Sequence, residues 1–166
     1  MATPTSPTSP TATPSIPTPA GITAAQITAV AADVYPMCSG SACPHGHYAT
    51  CESGHSGSGL YDGCPLTTRL VAQLQANASG VVSPPDQLGG GQDPYWDTES
   101  ITADITEAGG TAHVVLAQMG GAGAEMFDLL IIPSGTQLLA DDIVCSGQDQ
   151  ASGDAYAPGW INRSTC

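Results

Sequence analysis

The sequence predicts an α+β domain, with N-terminal helices packed on one face of a curved antiparallel β-meander and disulfides holding what the core does not cover. Three observations lead there. Apolar residues recur at helical spacing early in the chain. They alternate with polar residues in four later segments separated by turn residues, and six cysteines occur without a C-x-x-C pair. Helical segments followed by a run of strands are the order of an α+β fold, not of alternating βαβ units.

The first helix starts at Thr23. Thr23 and Gln26 have the spacing of a capping box, and Ile27, Val30, Ala31, Val34 and Tyr35 then fall on one stripe until Pro36 ends it. Residues 37–63 have no period and are rich in Gly, Ser, His and Cys, which makes them an insertion tied by disulfides. A second helix is expected from Pro65, a favoured first helical residue, to about Asn77, with Leu66, Leu70 and Leu74 on its buried side. Residues 79–97 form a long irregular connection.

From residue 98 the period is two. Ile101, Ala103 and Ile105 alternate with Thr102, Asp104 and Thr106, and a Gly109-Gly110 turn leads to a strand over 111–119. A glycine-rich turn at 120–123, a strand over 124–132, the Pro133-Ser134-Gly135 turn and a strand over 136–144 complete the meander. The run 124–132 is apolar except at Glu125 and Asp128, so it is expected at the centre of the sheet.

Composition narrows the setting. Fifteen acidic residues face only Arg69 and Arg163, a formal net charge of −13. That charge repels nucleic-acid phosphates and anionic lipid heads, so neither is an expected partner, and no apolar run is long enough to span a bilayer. An even set of cysteines, Cys38, Cys43, Cys51, Cys64, Cys145 and Cys166, reads as a disulfide framework and places the chain outside the cytosol, extracellular or at a cell surface. Their grouping points to local bridges within 38–64 and a separate Cys145–Cys166 staple, which would contribute ~3 kcal/mol by constraining the unfolded chain. Residues 1–20 alternate Pro with Thr, Ser and Ala, a polyproline II stalk or linker whose Thr3, Thr5 and Thr8 offer hydroxyls for O-glycosylation. They have neither the basic nor the apolar region of a secretory signal, so export is expected to use a signal not present in this sequence. Residues 21–166 then make a single domain, with the insertion at 37–63 and a disulfide-tied C-terminal loop at 145–166.

Helix, helix, meander and a last strand reading Leu138-Leu139-Ala140-Asp141-Asp142-Ile143-Val144-Cys145 resemble the NTF2-like (cystatin-like) domains of small secreted bacterial proteins and lipoproteins. Cys64-Pro65-Leu66-Thr67 at the second helix and Asp93-Pro94 before the sheet add to the resemblance, which covers residues 22–145 in element order. Leu138 stands where the family often has Trp. The resemblance implies a pocket cupped between helices and sheet, used in different members for ligand binding, for isomerase or dehydratase chemistry, or not at all.

The candidate sites are few. His45 and His47, two apart in an extended segment, point the same way, and His55 could complete a zinc or copper site. His113, Asp128 and Asp141 lie on strands and are candidate pocket residues for general acid–base work. Asp141 and Asp142 are adjacent, so at most one of them faces the pocket. Asp149 and Asp154 could meet calcium but lack EF-hand spacing. Gly54-His55-Ser56-Gly57-Ser58-Gly59 misses the glycine spacing and the strand-to-helix setting of a nucleophile elbow. Tyr95, Trp96 and Trp160 could cover the sheet edge or stack on a glycan, and Asn77 and Asn162 head N-glycosylation sequons. The expected function is therefore a non-catalytic, ligand-binding or scaffolding domain, secreted or anchored on the bacterial envelope, with envelope or glycan partners. The alternatives are a self-associating subunit of an extracellular filament or surface assembly, a pocket acid–base enzyme, and a zinc- or copper-binding protein.

Overall fold

The computed structural model describes residues 21–35, 61–78, 88, 96–118, 124–146 and 155–156. Two helices, α1 (Ala24–Val34) and α2 (Thr68–Ala78), precede four strands: β1 (Trp96–Thr106), β2 (Gly109–Gln118), β3 (Ala124–Ser134) and β4 (Gln137–Cys145). The strands form one antiparallel sheet in the order β1-β2-β3-β4, the expected meander. The stalk at 1–20, the insertion at 37–60 and most of the loop after Ser146 lie outside the described residues.

The α1 start follows its sequence signal. The Thr23 hydroxyl accepts from the Gln26 N–H, and the Gln26 side chain accepts from the Thr23 N–H, closing the capping box. Ile27, Ala31, Val34 and Tyr35 are buried against the sheet, and the Tyr35 ring stacks on Phe127 of β3 with centroids 6.1 Å apart. The Tyr35 hydroxyl donates to the carbonyl of Leu88, itself fully buried, so a residue of the long connection also belongs to the core.

α2 begins three residues later than expected. Residues 65–67 instead run extended along β4, where the Pro65 carbonyl accepts from Ala140 N–H and Thr67 N–H donates to the Ala140 carbonyl. Leu66 and Ala140 thus form a parallel bridge. Thr67 is the true cap, its hydroxyl accepting from Leu70 N–H at 3.2 Å. The pairing gives the Ala140 N–H and carbonyl partners on a strand edge that would otherwise be open there.

The Gly109-Gly110 pair also differs from expectation, because both glycines sit inside β2 and the turn is Glu107–Ala108. Their role is close approach. A Cβ on Gly109 would lie 2.1 Å from the Ile131 carbonyl oxygen, and one on Gly110 would lie 2.9 Å from the Ile27 side chain. The second glycine is where α1 rests on the sheet. At the other hairpin Gly135, with φ +63°, supplies the left-handed conformation of a two-residue link between Ser134 and Gln137.

β3 lies between β2 and β4, as its apolar sequence implied. Its faces nonetheless differ: Phe127, Leu129 and Ile131 are buried beneath the helices, whereas Met126 and Leu130 are 45% and 41% exposed on the opposite face. Register shifts between Thr98 and Ser100 and between Leu130 and Ile131 mark bulges, the local device that bends a sheet. In β4 the unmatched residue is Asp141, since Leu130 pairs with Asp142 and Ile131 with Ala140.

Cys64 and Cys145 are each disulfide-bonded, to partners outside the described residues. They are not bonded to each other. The parallel Leu66–Ala140 bridge sets Cys64 beside Leu138, and seven further residues of strand to Cys145 span about 23 Å. A disulfide tolerates a Cα separation of about 7 Å at most.

Candidate functional site

Two clusters of ionisable side chains lie on different parts of the sheet among the described residues. The first lies on the face away from the helices. In register, His113 of β2 is the direct partner of Asp128 on β3 and of Thr102 on β1, with Asp104 two residues along on the same side. Alternation puts Ala112 and Val114 into the core and so turns His113 outward. Its Nδ1 lies 2.7 Å from Asp128 Oδ1 and its Nε2 lies 3.2 Å from Asp104 Oδ2. Ser146, one residue beyond β4, donates its hydroxyl to the same Asp128 oxygen at 2.5 Å.

Both imidazole nitrogens therefore face carboxylates, and the ring that suits this setting is the doubly protonated one. The His113 pKa is raised accordingly, first by the hydrogen bond to Asp128, against a partial opposing effect of burial and with a further contribution from Asp104. Each imidazole nitrogen of His113 is thus engaged by a carboxylate oxygen in this arrangement. Ser146 bonds to the aspartate and has no bond to the imidazole, so the three side chains do not form a nucleophile–base relay.

The second cluster is built on the Asp141 bulge. A bulge frees one residue from the ladder and redirects its side chain. The Asp141 carboxylate accepts from the Thr67 hydroxyl at 2.8 Å and from the Arg69 guanidinium through Nε at 3.3 Å and through Nη2. Asp141 is only 13% exposed while Arg69 remains 61% exposed, so the guanidinium caps a largely buried carboxylate from the solvent side. The hydrogen bond to Asp141 raises the Arg69 pKa further above its ordinary value. The other face of the guanidinium lies 4.4 Å from the centre of the Tyr156 ring, a cation–π contact, and the Tyr156 hydroxyl donates to the Asp141 carbonyl at 3.0 Å. Ala155 N–H donates to the Ile143 carbonyl and Asn77 Nδ2 donates to the Ala155 carbonyl. One arginine, one aspartate and one tyrosine thus join the start of α2, the β4 edge and residues 155–156.

Of the three pocket candidates, His113 and Asp128 meet and Asp141 does not join them. None lines the groove of about 860 Å³ near the start of α1, nor either of two smaller grooves. Asp142 pairs with Leu130, and its carboxylate accepts from Ile143 N–H at 2.8 Å. Asn77 sits in the last turn of α2 with its amide nitrogen, the atom a glycan would occupy, bonded to Ala155. His45, His47, His55, Cys38, Cys43, Cys51, Cys166, Asn162, Thr3, Thr5, Thr8, Asp149, Asp154, Tyr95 and Trp160 lie outside the described residues, and Trp96 opens β1. Among the described residues no group of three or more His, Cys, Asp or Glu could hold a metal ion, and no helix is long and apolar enough to cross a membrane.

Sequence reasoning overlooked Asp104, Ser146, Thr67, Arg69 and Tyr156 as members of these clusters. Arg69 had a signal, being one of two basic residues among fifteen acids. Asp104 had another, since it shares the face of β1 that alternation assigns to Thr102. Comparison of the chain with protein-family models, curated proteins and solved structures gives no match.

Proposed function

We propose that the chain is a non-catalytic domain of the bacterial envelope, secreted or surface-anchored, that binds a ligand or scaffolds on an NTF2-like frame. The observation that carries this reading is the saturation of His113: both ring nitrogens are committed to Asp128 and Asp104, on an open sheet face. General acid–base work needs a nitrogen within reach of a substrate proton. Arg69 is likewise engaged by Asp141 and Tyr156. These groups hold elements together, which is the use a scaffold has for them.

Helices packed on one face of a four-stranded meander, with two bulges, support the NTF2-like frame in its element order. The disulfide-bonded state of Cys64 and Cys145 supports an oxidising compartment. The net charge of −13 favours a soluble domain at the crowded surface of an envelope.

Two measurements test the reading on protein exported into an oxidising compartment. Titration with a thiol reagent in denaturant is expected to find no reactive cysteine, and free thiols in the exported chain would sink the envelope assignment. Incubation with isolated cell-wall sacculi is expected to give co-sedimentation that survives His113→Gln, because the histidine is structural. Sedimentation velocity separates the filament alternative, since concentration-dependent polymers would favour the filament subunit.

A further inference from the structure

A groove of about 860 Å³ crosses the end of the sheet where the two hairpin links lie, beneath the start of α1. Its apolar lining comes from Ile22, Ile105, Pro133 and Leu138, with Thr106, Thr136 and Gln137 among the polar groups around them. Ile105 is the residue out of place. It pairs with Gly110 and shares the helix-facing side of β1 with Ile101 and Ala103, which pack on the core, yet it is 51% exposed. The helix reaches the sheet at Gly110 through Ile27 and stops short of covering its neighbour.

Gly21 lines this groove, so residues 1–20 join the domain at the groove itself. We propose that the groove holds the root of the proline-rich segment of the same chain, with the side chain of Ile16 against Ile105. Ile16 is the one branched aliphatic residue among residues 1–20, and Pro14, Pro17 and Pro19 surround it. From Ile16 to Gly21 is five residues, about 15 Å in a polyproline II conformation. The groove that Gly21 lines runs from Leu138 on β4 to Ile105 on β1, three strand spacings or about 14 Å, so Ile105 lies within that reach.

The chemistry matches as well. A segment with three prolines in six residues presents carbonyl acceptors and few N–H donors, so it leaves no donor stranded on an apolar floor. The Thr106 and Thr136 hydroxyls and the Gln137 amide supply donors for those carbonyls. The Gln26 amide oxygen is already committed to Thr23, and among the described residues of the lining Glu107 is the single charged one, so little there is placed to orient a charged small molecule. Prolines restrict the free segment, which lowers the entropy lost on docking, and a five-residue tether gives an effective concentration on the order of millimolar. The stalk then leaves the domain in a fixed direction, and this holds in whichever compartment the chain works.

The test uses the full chain carrying a diazirine-bearing aliphatic amino acid at position 16. Irradiation at low concentration is expected to give cross-links within one chain to residues 105–107 or 133–138, mapped by peptic digestion and mass spectrometry. Cross-links between chains would replace the proposal with a neighbour's segment in the groove, and cross-links to neither place would overturn it. In parallel, Ile16→Ser is expected to lower the thermal midpoint by about 2–4 °C. The same substitution in an Ile105→Ser background, which folds because Ile105 is half exposed, is expected to cost no more than that background already does. An equal drop in both backgrounds overturns the contact.

Discussion

His113 and Arg69 are each bound to aspartates, but His113 sits in the middle of the sheet's open face and Arg69 closes its β4 edge. The outer cluster joins neighbouring strands that the backbone ladder already joins. The edge cluster joins parts of the chain 72 to 74 residues apart in sequence, through Thr67, Arg69 and Asp141, where the backbone supplies only the short bridge to Ala140. It also carries Tyr156, which fixes residues 155–156 beside β4. A contact that closes a long loop replaces more chain entropy than one that repeats an existing ladder. The edge cluster should therefore matter more to stability, while the outer cluster, with a titrating cation, should matter more to pH.

The largest expected effect is that of Asp141→Ala. It removes the acceptor of the Thr67 hydroxyl and the anion under Arg69, and it should lower the unfolding free energy in urea by about 2 kcal/mol. Asp141→Asn keeps an acceptor for Thr67 and should cost less. Asp128→Ala should cost about 1 kcal/mol, because its carboxylate is one-third exposed and its partners Ser146 and His113 can turn to water. A larger loss at Asp128 than at Asp141 would reverse the ranking of the two clusters.

The next prediction concerns pH. The folded-state pKa of His113 is raised by Asp128 and Asp104 above its unfolded value. Its contribution to stability is thus fully present below the unfolded pKa of about 6.5 and is lost as pH rises through the folded value. Urea midpoints measured between pH 6 and pH 9 should fall with rising pH, and His113→Gln should flatten that slope. The edge cluster contributes no slope in this window, since its cation is an arginine. A slope that persists in His113→Gln would assign it to other groups.

How much of this was legible in the sequence depends on whether a feature is local. The α1 cap is local, and Thr23 and Gln26 announced it; the central place of β3 followed from its apolar run. The extended run 65–67 was not legible, because Pro65 suits a helix start and a strand edge equally until Ala140 is beside it. Gly109 and Gly110 look like a turn in sequence, and only the approach of Ile131 and Ile27 shows why a side chain is excluded there. The sites divide in the same way. Alternation placed His113 and Asp128 on strands, but their meeting needed the register of two strands. The bulge that takes Asp141 out of the ladder exists only relative to β3, so no pattern within β4 could have separated Asp141 from the pocket candidates.

The smallest effect sharpens the comparison most, because it separates the two carboxylates within the outer cluster. Asp104 is 82% exposed and Asp128 34% exposed, although both face the same imidazole. At 1 M salt the screening length is about 3 Å, comparable with the His113–Asp104 separation of 3.2 Å. A double-mutant cycle of His113→Gln with Asp104→Asn should therefore show a coupling at low salt that vanishes at 1 M sodium chloride. The cycle with Asp128→Asn should keep most of its coupling, because burial shields that pair from ions. Whole-chain stability will move the opposite way, since salt also screens the self-repulsion of a chain with net charge −13, and the cycle is what cancels that background. Equal salt dependence for the two pairs would mean that the imidazole sits in solvent on both sides, and the outer cluster would then be a surface ion pair with no clamping role.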